Sequence, residues 1–514
     1  FLLSLLIPAL FGTYLLLTST TTLIAGVWPY DIKRILQFGL LLTLFLVACF
    51  NGKIRDQYAH TLATVPAWIG LVLTGFFAWG IGSVLVNAES PAHAINSFAD
   101  VYLLASLVLG LFAVAACRRI GGIWFDRIAV GLITLTGVAI GFQELIGVLA
   151  AHASGLDFSY RISLLHFSWP RFYNQVQTWT MPLLAAIPAL FGRRPLFIGL
   201  CALALGLQWY IVLMTGARGS MLSLSLAIAW TSLIFPFLRR TQISIQVAGL
   251  AVGIMFYTAI VFSFEHDEWN IRPAKISPQV QELTNSPVPS SDYALDNPDN
   301  NNKFLSQSLG RPLSSSSGRL WMWNTSWQQA KTHPWFGIGP MNFVCTKPPW
   351  FGHPHNFPLQ IAAEWGMPAA LVICLIAGFL LARTSWQLRT VGENHSTERL
   401  LNGFLLTSVI AAAIHACLSG VLVMPASQTA GLLIGGMLLG SVRSGMNEKG
   451  SRITGLLVIP GLLLSMALAG YGFSELNSMD RRAEKLPAVE SLVPRLWQDS
   501  RTCTLTTEQF HVKE

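Results

Sequence analysis

Apolar residues fall in about thirteen long blocks along the chain, separated by short polar stretches. Most blocks hold roughly 18 to 25 residues, the length that an α-helix needs to cross a hydrocarbon core of about 30 Å. Lipid offers no hydrogen-bond partner to backbone N–H and C=O groups, so a segment that crosses it must be helical. The pattern therefore predicts an all-α, polytopic transmembrane bundle with about 12–13 spans.

The same pattern divides the chain into four parts. We expect an N-terminal transmembrane bundle, a long hydrophilic loop, further transmembrane helices and a tail, over residues 1–264, 265–356, 357–474 and 475–514. Ser, Pro, Asn and Asp dominate 275–317, which predicts a flexible segment because such a composition buries too little apolar area to become ordered. Trp, His, Gly and Pro are concentrated in 318–356, where we expect short helices and the active-site part of the loop.

The charged residues are few and unevenly placed. Only 11% of the 514 residues are charged, against about 25% in an average soluble chain. The net charge of +8 does not by itself indicate a nucleic-acid partner, because Lys and Arg recur in alternate short loops, as they do in the cytoplasmic loops of membrane proteins. This topology places 265–356 and the tail on the outer, periplasmic side. Lys33 and Arg34 disagree with it, because they fall in a loop that it places outside.

The chain has seven cysteines at scattered positions, without the spacing of a metal site. The topology puts Cys345 and Cys503 in the same oxidising compartment. A disulfide between them and two unpaired thiols are both compatible with the sequence.

Arginines in the outward-facing segments are candidates for phosphate binding. Arg218 lies in the two-glycine turn from Thr215 to Ser220, and a guanidinium there suits bidentate contact with a phosphate. The alternative is a lipid headgroup contact or a helix cap. Arg319 has the same two interpretations. Arg161 and Arg171 lie in the 151–175 loop, where solvated surface charge is slightly favoured.

The run from His353 to Asn356 carries two near-neutral bases just before an apolar block. A general base is a better functional interpretation than zinc, because no third ligand stands at a convincing spacing. Glu364 lies inside the apolar block, where it is either functional or an interfacial carboxylate paired with an arginine. Trp323 and its neighbouring tryptophans fit both sugar stacking and an interfacial aromatic belt.

These residues belong to three runs that resemble a known family signature. The runs are Ser317 to Asn324, His333 to Phe343, and His355-Asn356 followed by Gly366 ten positions later. Together they resemble the shared motifs of O-antigen ligases, O-antigen polymerases and bacterial O-linked oligosaccharyltransferases. The Gly-Ala-Arg-Gly-Ser turn around Arg218 is similar to the periplasmic arginine turn of the same family.

The resemblance implies an inverting glycosyltransferase of the bacterial inner membrane that needs no metal or other cofactor. Its donor is a glycan on undecaprenyl diphosphate, and its acceptor in the ligases is a sugar hydroxyl of lipid A-core. His355 corresponds to the base, Arg218 and Arg319 to the diphosphate ligands, and Arg161 or Arg171 to an assisting group. We expect supporting roles for His353, Asn356, Glu364 and Trp323.

Two alternatives remain open at this point. An O-antigen polymerase or protein O-oligosaccharyltransferase shares the motifs but uses another acceptor. A membrane transporter or lipid-linked glycan flippase belongs to a different class, and it predicts internal repeats and ionisable residues near the middle of the bilayer. The polar residues here gather on one side of the bundle, which favours chemistry at the membrane surface.

Overall fold

A computed structural model describes ten ranges of the chain, namely 1–20, 27–88, 91–154, 164–167, 170–266, 318–346, 352–390, 396–441, 458–483 and 495–497. Within them the regular structure is helical throughout, and nine of these helices are long and apolar enough to cross a membrane. The predicted all-α polytopic bundle is therefore confirmed. Arg161, Cys503 and the 275–317 segment lie outside the described residues.

Ten helices precede the long hydrophilic loop. They are α1 (Leu2–Thr20), α2 (Pro29–Phe50), α3 (Gly52–Ala63), α4 (Ala67–Asn87), α5 (Pro91–Ala153), α6 (Pro170–Leu184), α7 (Ile187–Phe191), α8 (Pro195–Met214), α9 (Arg218–Ile234) and α10 (Pro236–His266). Several begin with proline, whose fixed φ and missing N–H suit the first turn of a helix.

Six helices follow. They are α11 (Arg319–Thr332), α12 (Phe357–Glu364), α13 (Met367–Thr390), α14 (Ser396–Ala416), α15 (Pro425–Ser441) and α16 (Val458–Ala483). Helix α5 packs against α1, α15 and α16, while α14 packs against α6 and α9. Gly219 at the start of α9 lies against His415 near the end of α14, and Gly420 just after α14 lies against His353, so the candidate residues lie at these helix ends.

Helix boundaries differ from the hydropathy pattern, which predicts separate apolar blocks at 98–116 and 128–150 and one continuous block at 357–382. The blocks at 98–116 and 128–150 are joined in α5, which bends at Gly122, where φ is 55° and ψ is −138°. Arg118 and Asp126 form a buried ion pair across this bend, with Nε and Oδ1 2.6 Å apart. The apolar block at 357–382 is instead divided, because Gly366 adopts a φ of +95° between α12 and α13. Glu364 therefore ends a short helix.

Lys33 and Arg34 lie within α2 and are buried, so their assignment to an outer loop was wrong. Arg34 donates from Nη2 to the Val423 carbonyl at 2.7 Å and from Nη1 to Gln428 Oε1 at 2.5 Å. Lys33 donates to the carbonyl of His166. Since both side chains bind protein groups, neither counts as a loop charge in the topology.

Candidate functional site

The His353–Asn356 loop is held in one backbone conformation. His355 has a φ of +55°, which costs a residue other than glycine about 1–2 kcal/mol. Its N–H donates to His353 Nδ1 at 3.1 Å, and the two rings meet edge to face with centroids 4.3 Å apart. Because His353 Nδ1 accepts this bond, His353 is neutral with its proton on Nε2. His353 thus supports the position of His355.

Asn356 and Trp323 fix this loop at two points. The Oδ1 of Asn356 accepts the N–H of Leu359 at 3.1 Å and caps α12. The indole Nε1 of Trp323, on α11, donates to the Pro354 carbonyl at 3.0 Å. Trp323 therefore fixes the loop to α11, an interaction that neither of its two sequence interpretations included.

Positive charge surrounds the imidazole of His355. Burial is the largest of the causes that lower the pKa of His355 to about 3, and the nearby Arg319, Arg171 and His415 act in the same direction. Burial, together with His355 and Arg495, also holds the pKa of His353 well below its usual range. The structure thus brings His355 together with Arg319 from α11 and Arg171 from α6, and both imidazoles are neutral at ordinary pH.

Arg218 is the first residue of α9 and lies beside the same cluster. A Cβ built on the next residue, Gly219, would stand 3.1 Å from His415 Nε2. The other ring nitrogen of His415, Nδ1, is 2.8 Å from Thr178 Oγ1 on α6. His415 therefore lies between the arginine turn and α6.

His415 and the polar face of α6 are parts of this site that the sequence did not predict. Asn174 Nδ2 donates to Thr215 Oγ1 at 3.0 Å, which joins α6 to the arginine turn, and Ser220 Oγ donates to the Asn174 carbonyl at 3.2 Å. Gln175 Nε2 donates to Ser419 Oγ at 3.1 Å. A hydropathy average over a block hides a single histidine such as His415. An ionisable residue inside an apolar block is nevertheless a sign of a functional site that the sequence does show.

Three buried polar atoms near this cluster have no hydrogen-bond partner among the described residues: His355 Nδ1, Asn174 Oδ1 and Gln175 Oε1. Most buried polar atoms in folded proteins are paired, so each exception needs a physical reason. The two amide oxygens accept hydrogen bonds, and so does an unprotonated ring nitrogen. Hydroxyl groups of a bound molecule are suitable partners for all three.

A second loop, 333–343, packs against the end of α12. Ile338 N–H donates to the Ala363 carbonyl and Gly339 N–H to the Glu364 carbonyl, both at 2.9 Å. The carboxylate of Glu364 accepts the Phe343 N–H at 3.2 Å and lies 2.5 Å from Arg495 Nη2. Glu364 is thus paired with an arginine, as one of its two interpretations proposed, but it is fully buried and not partly solvated.

Metal-ligating groups are sparse in the part of the chain that is described. There, no group of three or more His, Cys, Asp or Glu side chains is arranged to hold a metal ion. Cys345 is disulfide-bonded, whereas the other five cysteines in the described ranges are free thiols. His353 Nδ1 already accepts a backbone N–H, which leaves that nitrogen unsuited to a metal.

Part of this cluster lies in a segment that matches a known family. Residues 202–374 match the family model described as O-Antigen ligase. The match begins in α8, includes Arg218, Arg319 and His355, and ends in α13. No curated protein matches the chain significantly. The segment at 202–374 is therefore similar to the O-antigen ligase family.

Proposed function

We propose that the protein is an O-antigen ligase of the bacterial inner membrane. It transfers a glycan from undecaprenyl diphosphate to a sugar hydroxyl of lipid A-core on the periplasmic side. One observation carries the proposal: the neutral imidazole of His355 lies in the field of Arg319 and Arg171, beside the arginine turn. The family match supports the reaction class, and the cluster supports these substrates.

The arginines supply the charge that the leaving group requires. A lipid diphosphate departs readily once its negative charge is neutralised, and planar guanidinium groups bind phosphate oxygens in bidentate fashion. Arg319 and Arg171 come from α11 and α6, and Arg218 begins α9, so three separate elements hold the positive charge in place. Charge fixed before the reaction stabilises the developing diphosphate anion without reorganisation, and it does so without a metal.

His355 removes the proton from the acceptor. As the acceptor oxygen attacks the anomeric carbon, its proton passes to the imidazole, and the bond from that carbon to the diphosphate oxygen breaks. The diphosphate leaves with the electron pair. Attack from the face opposite the leaving group inverts the anomeric centre. The Nδ1 of His355 has no hydrogen-bond partner among the described residues, so this nitrogen is available to accept a proton.

The alternatives share part of this chemistry. An O-antigen polymerase or a protein O-oligosaccharyltransferase would use the same donor site with a different acceptor. A transporter or flippase would need neither a base nor an inverted product. The imidazole of His355, which has a ring nitrogen without a described partner and lies near arginines, favours a transferase over a transporter or a flippase.

Reconstitution tests the function directly. In proteoliposomes that contain undecaprenyl diphosphate-linked glycan, we expect purified protein to modify lipid A-core and not a pilin-type protein or a second lipid-linked repeat. The products are separated by gel electrophoresis and identified by mass spectrometry. Modification of the protein or the repeat would replace the ligase by one of its alternatives, and movement of intact donor without product would indicate a flippase.

The pH dependence of transfer tests the role of the arginine field. In the free protein the pKa of His355 is lowered to about 3, so the base stays unprotonated between about pH 5 and 8. The kcat/KM for the donor should therefore show no acid limb near an ordinary histidine pKa of about 6.5. Bound diphosphate opposes the arginine charges and raises the pKa, so kcat should fall at a higher pH than kcat/KM.

Rates at limiting and saturating donor across the pH range provide this comparison. Arg319→Gln removes one of the charges near His355 and should move the acid limb of kcat/KM upward. Arg239→Gln, at an exposed position of α10, serves as the matched control and should leave the profile unchanged. An acid limb near pH 6.5 in the wild-type kcat/KM would show that neither burial nor these charges lower the pKa of His355.

A further inference from the structure

A short piece of the C-terminal tail is embedded in the bundle. Arg495 is 1% exposed and Trp497 is 2% exposed. The Trp497 ring meets Phe38 edge to face at 6.2 Å, and its Nε1 donates to the Tyr471 hydroxyl at 2.8 Å. A buried arginine is unfavourable unless its charge and its donors are paired, so the partners of Arg495 define what this segment does.

The backbone of the segment is fixed by α2. Arg34 donates from Nε to the Leu496 carbonyl at 3.1 Å and from Nη2 to the Arg495 carbonyl at 3.2 Å. The Tyr30 hydroxyl donates to the same Arg495 carbonyl. Side chains of α2 that bind main-chain carbonyls of the tail therefore fix the position from which the Arg495 side chain extends.

The Arg495 guanidinium then connects three parts of the site. Its Nη1 and Nη2 donate to the two carboxylate oxygens of Glu364, at 2.9 and 2.5 Å. Nη1 also donates to the carbonyl of Gly352 at 3.2 Å, and Gly352 directly precedes His353. Glu364 in turn accepts the N–H of Phe343. One side chain thus joins the end of α12, the 333–343 loop and the start of the histidine loop.

We propose that Arg495 is a positioning residue that holds the His353–Asn356 loop in its observed conformation. The guanidinium does not need to touch substrate for this, because it acts through Gly352 and Glu364. The loop places His355 at a positive φ, and a conformation of that kind persists only where its surroundings enforce it. The effect of Arg495 on transfer rests on the proposed function, whereas its effect on loop order does not.

Hydrogen–deuterium exchange on the full chain measures loop order without any reaction. In Arg495→Met we expect the amides of Phe343 and His355 to exchange about tenfold faster or more than in wild type. Arg118→Met is the matched control, since it removes the arginine of another buried ion pair, with Asp126. Arg118 also binds Asn402, which lies about 20 Å along α14 from His415. This control should leave exchange at Phe343 and His355 unchanged.

Two results would overturn the proposal. One is unchanged exchange in Arg495→Met, and the other is an equal rise in Arg118→Met, which would indicate general destabilisation. If Arg495→Met fails to fold, Arg495→Met with Glu364→Gln removes both fully buried charges and leaves only Asp100, whose side chain is 23% exposed. This double variant should fold and still exchange rapidly at His355, because the bond to Gly352 is absent. Wild-type protection in the double variant would also contradict a positioning role.

Kinetics add the link to catalysis. In the vesicle assay, Arg495→Met should lower kcat by about 10- to 100-fold while the donor KM changes less than about threefold. Arg495→Lys, which keeps the charge but not the two-pronged contact, should recover part of kcat. A rise in KM alone would show that Arg495 acts in donor binding and not through the loop. If wild-type protein transferred nothing, the proposed function would fail while the exchange experiment still decided the structural role.

Discussion

Replacing His355 by alanine is expected to lower glycan transfer by about 10²- to 10⁴-fold, the usual contribution of a positioned general base. The acceptor hydroxyl is a weak acid, and attack without proton removal builds positive charge on its oxygen. The arginines would still bind the donor diphosphate, so the donor KM should change little. The measurement is the initial transfer rate in proteoliposomes, normalised to correctly inserted protein.

Two companion variants make this result specific. His355→Asn keeps a residue that tolerates a positive φ but lacks a base, so it should be as inactive as the alanine variant while folding normally. His333→Ala changes an exposed histidine at the end of α11 and should retain wild-type transfer. Transfer within about threefold of wild type in both His355 variants would show that His355 is not the general base. His415 would then be the next candidate.

The sequence predicted the bundle because the membrane imposes one strong physical constraint. An apolar block in lipid must be helical, so block length alone indicates the spans. The motif resemblance likewise predicted that Arg319 and His355 act together, and the structure places them near each other. These features depend on local sequence, which is why a single chain was sufficient to find them.

Other features depend on contacts between distant segments. Counting loop charges assumes that Lys and Arg lie in loops, but Arg34 binds tail carbonyls from inside α2. Glu364 carries no local sign that its partner is Arg495, in a tail far along the chain. The break after α12 is also hidden, because the block stays apolar through Gly366. Pairing across the fold, and not composition, determines these details.

The second large effect is expected for Gly366→Ala, which should destabilise the protein by about 2–4 kcal/mol. At this position φ is +95°, and an added Cβ would lie 1.8 Å from the Trp335 carbonyl oxygen. A backbone oxygen of a hydrogen-bonded loop cannot move aside as a flexible side chain can. The N–H of Met367 also donates to the Pro334 carbonyl at 2.8 Å, so the displaced loop would lose this bond as well.

Gly378→Ala is the matched control, since the same change within α13 would place a Cβ with no atom within 4 Å beyond its chain neighbours and its own helix backbone. Alanine is a better helix former than glycine, so this variant should be neutral or slightly more stable. Thermal unfolding in detergent compares the two, and Gly366→Ala should melt well below both wild type and the control. Because the 333–343 loop hydrogen-bonds the end of α12, its displacement should also disorder the histidine loop and reduce transfer. Equal melting of the two variants would show that Gly366 is an ordinary loop glycine, and that the division of the apolar block into α12 and α13 does not depend on it.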